Sequence, residues 1–145
     1  MPHPTPVLTV DALNSFTFDV FPQLMEQFPE YKCTHIEAGR VVVQLQTHDQ
    51  HIRAGGTVSG PTLFSLADIG GYACVLSHVG KEALAVTTNL NINFMRKAEP
   101  GILVADCKIL KLGKRLMVFE ASIMVEGKTE LIAHATGTYA IPPMK

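Results

Sequence analysis

The sequence predicts an α+β domain in which one long apolar helix lies between a first strand region and a run of antiparallel strands. Three observations carry this expectation. From Gly60 to Gly80 the chain holds no Lys, Arg or Glu and a single Asp, and residues 58–77 read as one helix. Upstream, Val41, Val43 and Leu45 alternate with Val42, Gln44 and Gln46, the two-residue period of a strand. Downstream, three strand-like segments at 102–112, 116–125 and 131–141 are separated by connections short enough for antiparallel hairpins. Strands and helix are segregated rather than alternating, which favours α+β over a parallel α/β sheet.

The elements follow in order. Residues 1–8 contain three prolines and read as a loose arm. Residues 10–28 form a helical stripe through Leu13, Phe16, Val20, Leu24 and Phe28, which Pro22 must break or kink and Pro29 closes. Residues 33–47 are strand-like with a turn at Ala38-Gly39, and residues 48–56 are a polar loop ending in Gly-Gly. After the long helix, residues 83–95 lean towards strand, with Leu90, Ile92 and Phe94 on one side. Pro100-Gly101 turns the chain, and Gly113 and Glu126-Gly127-Lys128 mark the two later turns.

At 145 residues the chain fits one domain, 1–145. Charged residues make up 17% of it, below the usual quarter, while 47% is apolar. So lean a surface points to a homo-oligomer, because obligate interfaces resemble a core cut in half. A net charge of −1 gives no support for nucleic acid or an anionic membrane as partner. No run of 18 or more apolar residues appears, and the first residues lack the basic and apolar regions of a secretory signal. Cys33, Cys74 and Cys107 are odd in number and far apart, which suits buried reduced thiols in a cytoplasmic protein and not a zinc site. His48 and His51 have no partners at metal-ligand spacing, so no metal is expected.

The chemistry concentrates in the helix. Pro61 suits the first turn, where its missing N–H is no loss, with Ser59 or Gly60 as N-cap. At 100° per residue Leu63, Leu66, Ala67, Gly70, Ala73 and Cys74 form one face, small enough at Ala67, Gly70 and Cys74 to lie close on a sheet. Asp68 falls on the other side, flanked by Phe64, Gly71, Tyr72 and Val75. A carboxylate on an apolar helix is costly to bury unless bonded, which makes Asp68 a candidate acid or base; capping a backbone or pairing with a cation is the plainer role. The free N–H groups at the helix start favour a developing oxyanion. Asp68 lies eight residues beyond Gly60, about 12 Å along the axis, so the two meet more readily from different subunits across a two-fold axis.

The stretches GGTVSGPTLFSLADIGGYA, VTTNLNINFMRKAEPG and LIAHATGTYAI resemble the hotdog-fold thioesterases of the PaaI-like type, over roughly residues 41–141. The family's helix-start motif G-x-x-H-G-G-x-x-x-x-L-x-D is matched in spacing by Gly56, Gly60, Leu66 and Asp68. The family's usual His falls on Ser59, its second glycine on Pro61 and its frequent Asn on Arg53. The resemblance implies a curved antiparallel sheet wrapped around one central helix, with residues 1–30 an N-terminal arm and helical segment and 33–141 the hotdog core. It also implies a homodimer or dimer of dimers acting on an acyl-CoA or other acyl thioester. Asp68 would serve as general base or nucleophile, with the Gly60 N–H polarising the carbonyl and no cofactor required.

Ser59 is a further candidate for holding water or the carbonyl, N-capping being its alternative role. Phe64, Tyr72 and Val75 are candidates for the acyl pocket wall. Arg53 stands at the family's Asn position, and Arg96-Lys97 is a basic pair suited to the phosphates of coenzyme A. Lys111, Lys114 and Arg115 form a second cluster. The main alternative is a non-catalytic acyl-CoA sensor, favoured by the replaced His and Asn. A hydratase would need a His paired with a carboxylate, and no His precedes His78 in the helix. Ser65 and Ser77 lack the G-x-S-x-G elbow of a serine hydrolase.

Overall fold

The computed structural model describes residues 4–143. Two helices, α1 (Val10–Val20) and α2 (Pro22–Gln27), precede two strands, β1 (Lys32–Glu37) and β2 (Arg40–Gln46). The long helix α3 (Gly60–Val79) follows, and then β3 (Val86–Phe94), β4 (Ile102–Leu112), β5 (Leu116–Val125) and β6 (Ala133–Ala140). The six strands form one sheet in the order β1-β2-β4-β5-β6-β3, every neighbouring pair antiparallel. The sheet packs on α3 through β2 to β6, which is the hotdog arrangement expected from the sequence.

The strand period determines which residues meet the helix. Val41, Val43 and Leu45 on β2, Leu103, Ala105 and Cys107 on β4, and Met117, Phe119, Ala121 and Ile123 on β5 are fully buried, while their neighbours in sequence are not. The opposing face of α3 is small, as expected, and two glycines make the approach possible. A Cβ at Gly70 would collide with Cys107 Sγ, and one at Gly71 would collide with the Phe119 ring. Any side chain at these positions would force helix and sheet apart in a close-packed interior. By length and composition α3 could cross a membrane, but most of it is buried as the core helix of this sheet.

The sequence-based boundaries move slightly. α3 starts at Gly60 rather than residue 58, because Ser59 is extended (φ −70°, ψ 150°) and its side chain caps the helix. It continues two residues past Ser77 to Val79. Pro22 breaks the first helix as expected, leaving Phe21 between α1 and α2. The expected loose arm is tied down by its seventh and eighth residues: the N–H groups of Val7 and Leu8 donate to the Ser77 carbonyl at 2.6 and 3.3 Å. Residues 1–3 of that arm lie outside the described residues.

The loop 48–56 is more than a polar connection. His51 is buried and stacks on Phe28 at 4.9 Å. Its Nδ1 accepts the His48 N–H at 2.9 Å, so the ring proton resides on Nε2, which donates to the Gln27 carbonyl at 2.7 Å. This neutral imidazole fastens the end of α2 to the loop that feeds α3. It thereby holds the α1–α2 segment over the outer side of α3.

Candidate active site

Asp68 sits in the middle of α3 on the side turned away from β2 and β4, partly buried. Two hydroxyl groups from separate strands reach it. Thr87, near the start of β3, donates to Asp68 Oδ1 at 2.5 Å. Tyr139, on β6, donates to the Asp68 backbone carbonyl at 2.7 Å and lies 3.0 Å from Oδ1, so its single proton serves both oxygens. Oδ2 has no hydrogen-bond partner among the described residues. Burial first, and the Asp68 charge second, push the Tyr139 phenol well above its ordinary value, so it remains a donor at any working pH. The Tyr72 phenol is also raised, by burial and then by Glu82, and donates to the Ala83 carbonyl at 3.0 Å.

The carboxylate opens on a cavity of about 430 Å³. One wall is α3 itself, through Ser65, Ile69 and Tyr72; the opposite wall is the N-terminal segment, through Val20, Phe21, Leu24 and Phe28. Phe21 meets the Tyr72 ring edge-on at 6.3 Å, and Tyr72 lies 6.2 Å from Tyr139. The result is an aromatic and aliphatic chamber with one carboxylate oxygen unclaimed, a setting able to hold an apolar group beside a base or nucleophile.

A second cavity, of about 410 Å³, lies at the start of α3 and shares no lining residue with the first. Gly60 lines it with Arg53, Arg96 and Lys97, and with Phe94 and Met95 from the end of β3. Ser59 Oγ accepts the Thr62 N–H at 3.3 Å, the Leu63 N–H reaches the Ser59 carbonyl at 3.3 Å, and Pro61 has no N–H. The Gly60 N–H finds no acceptor among the described residues, so it is the free backbone donor at the positive end of α3. All three cations are exposed, and Arg96 is paired with Glu130 at 3.1 Å.

The structure thus brings Gly60, Arg53, Arg96 and Lys97 together, and Asp68 with Tyr72, but in two separate places on one chain. Ser59 acts as the helix cap, bonded to Thr62, and faces a third pocket shared with His51 and Gln50. Val75 is fully buried in the core and lines neither cavity, and Phe64 is exposed outside both. Sequence reasoning did not single out Thr87, Tyr139 or the α1–α2 wall. The stripe through Val20, Leu24 and Phe28 was a usable signal for the wall; nothing local marks the two hydroxyls. Among the described residues, no group of three or more His, Cys, Asp or Glu is placed to hold a metal ion.

The sequence profile of the thioesterase superfamily matches residues 55–132, more than half of the chain. A Pseudomonas aeruginosa protein named as a candidate esterase is 31% identical over 121 residues, 82% of this chain and 88% of that protein. The crystal structure of a candidate thioesterase from a Silicibacter species is 42% identical, covers 97% of this chain and 96% of its own, and superposes with a TM-score of 0.87. A mutant of the phenylacetic acid degradation protein PaaI from Thermus thermophilus is 25% identical, covers 83% of this chain and 99% of its own, and gives a TM-score of 0.69. The chain belongs to the thioesterase superfamily and carries its hotdog fold.

Proposed function

We propose that this protein is a cytoplasmic acyl-CoA thioesterase, a single domain over residues 1–145, whose active site is completed by two subunits. The observation that carries this reading is the separation of the two half-sites. One chain has a carboxylate with a free oxygen in an apolar chamber; elsewhere it has a free helix-start N–H among three cations. Hydrolysis needs both around one carbonyl.

The edge strand supports the way they meet. β3 ends the sheet with no neighbour on its outer side among the described residues, and Val86, Phe94 and Met95 along and beyond it are more than half exposed. Such an edge is a template for pairing with a second chain. Its two ends border the two cavities: Val86 and Thr87 line the Asp68 chamber, Phe94 and Met95 the Gly60 cavity. Antiparallel pairing of β3 with itself across a two-fold axis sets the beginning of one copy beside the end of the other. The Asp68 chamber then faces Gly60 of the partner subunit.

In this assembly the acyl group occupies the Asp68 chamber and the coenzyme A phosphates lie near Arg53, Arg96 and Lys97. Asp68 Oδ2 either takes a proton from water as that water attacks the thioester carbonyl, or attacks the carbonyl itself. The carbonyl oxygen gains its charge beside the Gly60 N–H. Collapse breaks the C–S bond; the thiolate leaves and is protonated, and the acyl group ends as a carboxylic acid. On the direct-attack route water then cleaves the mixed anhydride on Asp68. Cys33, Cys74 and Cys107 are free and buried, which supports a reducing compartment.

The test is release of free thiol from short, medium, long and aromatic acyl-CoAs, with Asp68→Asn beside the wild type. Hydrolysis by the wild type that falls at least about a hundredfold in the variant is the expected result. Tight acyl-CoA binding with no turnover would instead identify a sensor, the reading that the engaged Ser59 hydroxyl and the exposed Arg53 favour.

A further inference from the structure

The mechanism above gives no task to the buried hydroxyl beside Asp68. Tyr139 is 4% exposed, lies on β6, and is 71 residues from Asp68, yet its hydroxyl lies within 3.0 Å of both the carbonyl and the carboxylate of that residue. The core is shaped to allow this. Tyr139 reaches α3 because Gly71, one turn beyond Asp68, has no side chain: a Cβ there would lie 2.8 Å from Tyr139 Cε1. The ring is packed against Phe119 at 6.1 Å and Tyr72 at 6.2 Å, so the hydroxyl has little freedom to move away.

A carboxylate at the end of a side chain with two rotatable bonds has no inherent preference for which oxygen meets a substrate. Here the two oxygens are made unequal. Both hydroxyl donors, Thr87 and Tyr139, converge on Oδ1, while Oδ2 has no partner among the described residues and no buried side-chain oxygen there is left unsatisfied. Asp68 lines the chamber and its Oδ1 is engaged, so Oδ2 is the oxygen left to meet a group bound there. Of the two donors, Tyr139 also grips the backbone of Asp68, so it ties the helix, and not the side chain alone, to the sheet.

We propose that Tyr139 is a positioning residue for the thioesterase reaction: by holding Oδ1 and the main chain of Asp68 from β6, it presents Oδ2 to the acyl carbonyl. This rests on the reading of Asp68 as the reacting carboxylate. Tyr139 acts through Asp68, so loss of its hydroxyl reduces turnover and leaves acyl binding nearly intact. Small misplacements of a reacting group cost rate steeply.

The experiment compares wild type, Asp68→Asn, Tyr139→Phe and Tyr139→Met on the best acyl-CoA, with kcat and KM per folded protein and thermal melting of each. Phe keeps the ring and Met adapts to its volume, so at least one hydroxyl-free variant retains the fold. Expected is a fall in kcat of roughly tenfold or more in both Tyr139 variants, with KM within about twofold of wild type. Wild-type kcat in a folded Tyr139 variant overturns the proposal, as does a loss confined to melting temperature, which marks a structural role only. Turnover that collapses in Asp68→Asn but not in Tyr139→Phe refutes this inference alone. A wild type that hydrolyses nothing removes the thioesterase reading and this inference with it.

Discussion

Asp68 is held by Thr87 and Tyr139, 19 and 71 residues away, whereas the Gly60 N–H is left free by its own neighbours, Ser59 and Pro61, at the start of the same helix. The first half-site is thus a product of packing. Its geometry depends on the order of strands, the register of β3 on β6 and the absence of a side chain at Gly71. The second is a product of local chain chemistry: a serine cap, a proline without an N–H and a helix dipole. One helix therefore carries a carboxylate that only the folded core can position and a free N–H that the residues around its own start nearly suffice to provide. The two should respond differently to the same insults.

The largest difference is expected at the reacting groups themselves. Asp68→Asn should lower kcat at least about a hundredfold while coenzyme A affinity, read by calorimetry, stays near wild type. Equal losses of binding and turnover would break the separation of roles. Next is Gly71→Ala. The added Cβ meets Phe119 and Tyr139, so stability should fall by roughly 1–3 kcal/mol in denaturant unfolding, and kcat should fall with it. Coenzyme A binding at the Gly60 end should survive in the folded fraction. Ser59→Ala attacks the other half: loss of the cap should cost about 1 kcal/mol of stability. Its effect should appear in the Gly60 cavity, with turnover reduced through carbonyl polarisation.

Smaller again is neutralisation of Arg96 and Lys97 to Ala. KM for acyl-CoA should rise by roughly three- to tenfold, an effect that shrinks as salt is added, with kcat little changed. A salt-independent change would remove the phosphate role. The smallest effect concerns pH. Burial holds His78 below its ordinary 6.5, where its Nε2 accepts the Gly39 N–H at 3.0 Å as a neutral ring. Above 6.5 both folded and unfolded chains keep it neutral and its contact is intact. As pH falls below 6.5 the unfolded chain binds the proton first, so stability is lost progressively until the folded-state value is passed. Melting temperature should therefore drop between pH 7.5 and 5.5, and less so in His78→Gln.

Much of this molecule was decided locally and could be read from the sequence. The two-residue alternation of Val41, Val43 and Leu45 in β2 coincides with the buried face, because a pleated strand sends successive side chains to opposite sides whatever it pairs with. The apolar helix with Pro61 in its first turn and the break at Pro22 follow from propensities acting over a few residues. Asp68 stood out because one carboxylate on an apolar helix demands an explanation. The spacing of Gly56, Gly60, Leu66 and Asp68 then tied it to a family.

What the tertiary structure alone decided is which distant groups complete the site. No local rule links Tyr139 to Asp68, since their contact exists only once β6 lies between β5 and β3 and α3 is close enough to touch it. The same is true of the α1–α2 wall and of His51, which looked like part of a polar loop and is buried as a fastener between two segments. Ser59 and Val75 were candidates by position on the helix, but capping holds one and the core holds the other. Periodicity and capping act over one or two turns and leave a mark in the sequence. Register and close approach across a sheet act between segments tens of residues apart, and their result exists only in the packed fold.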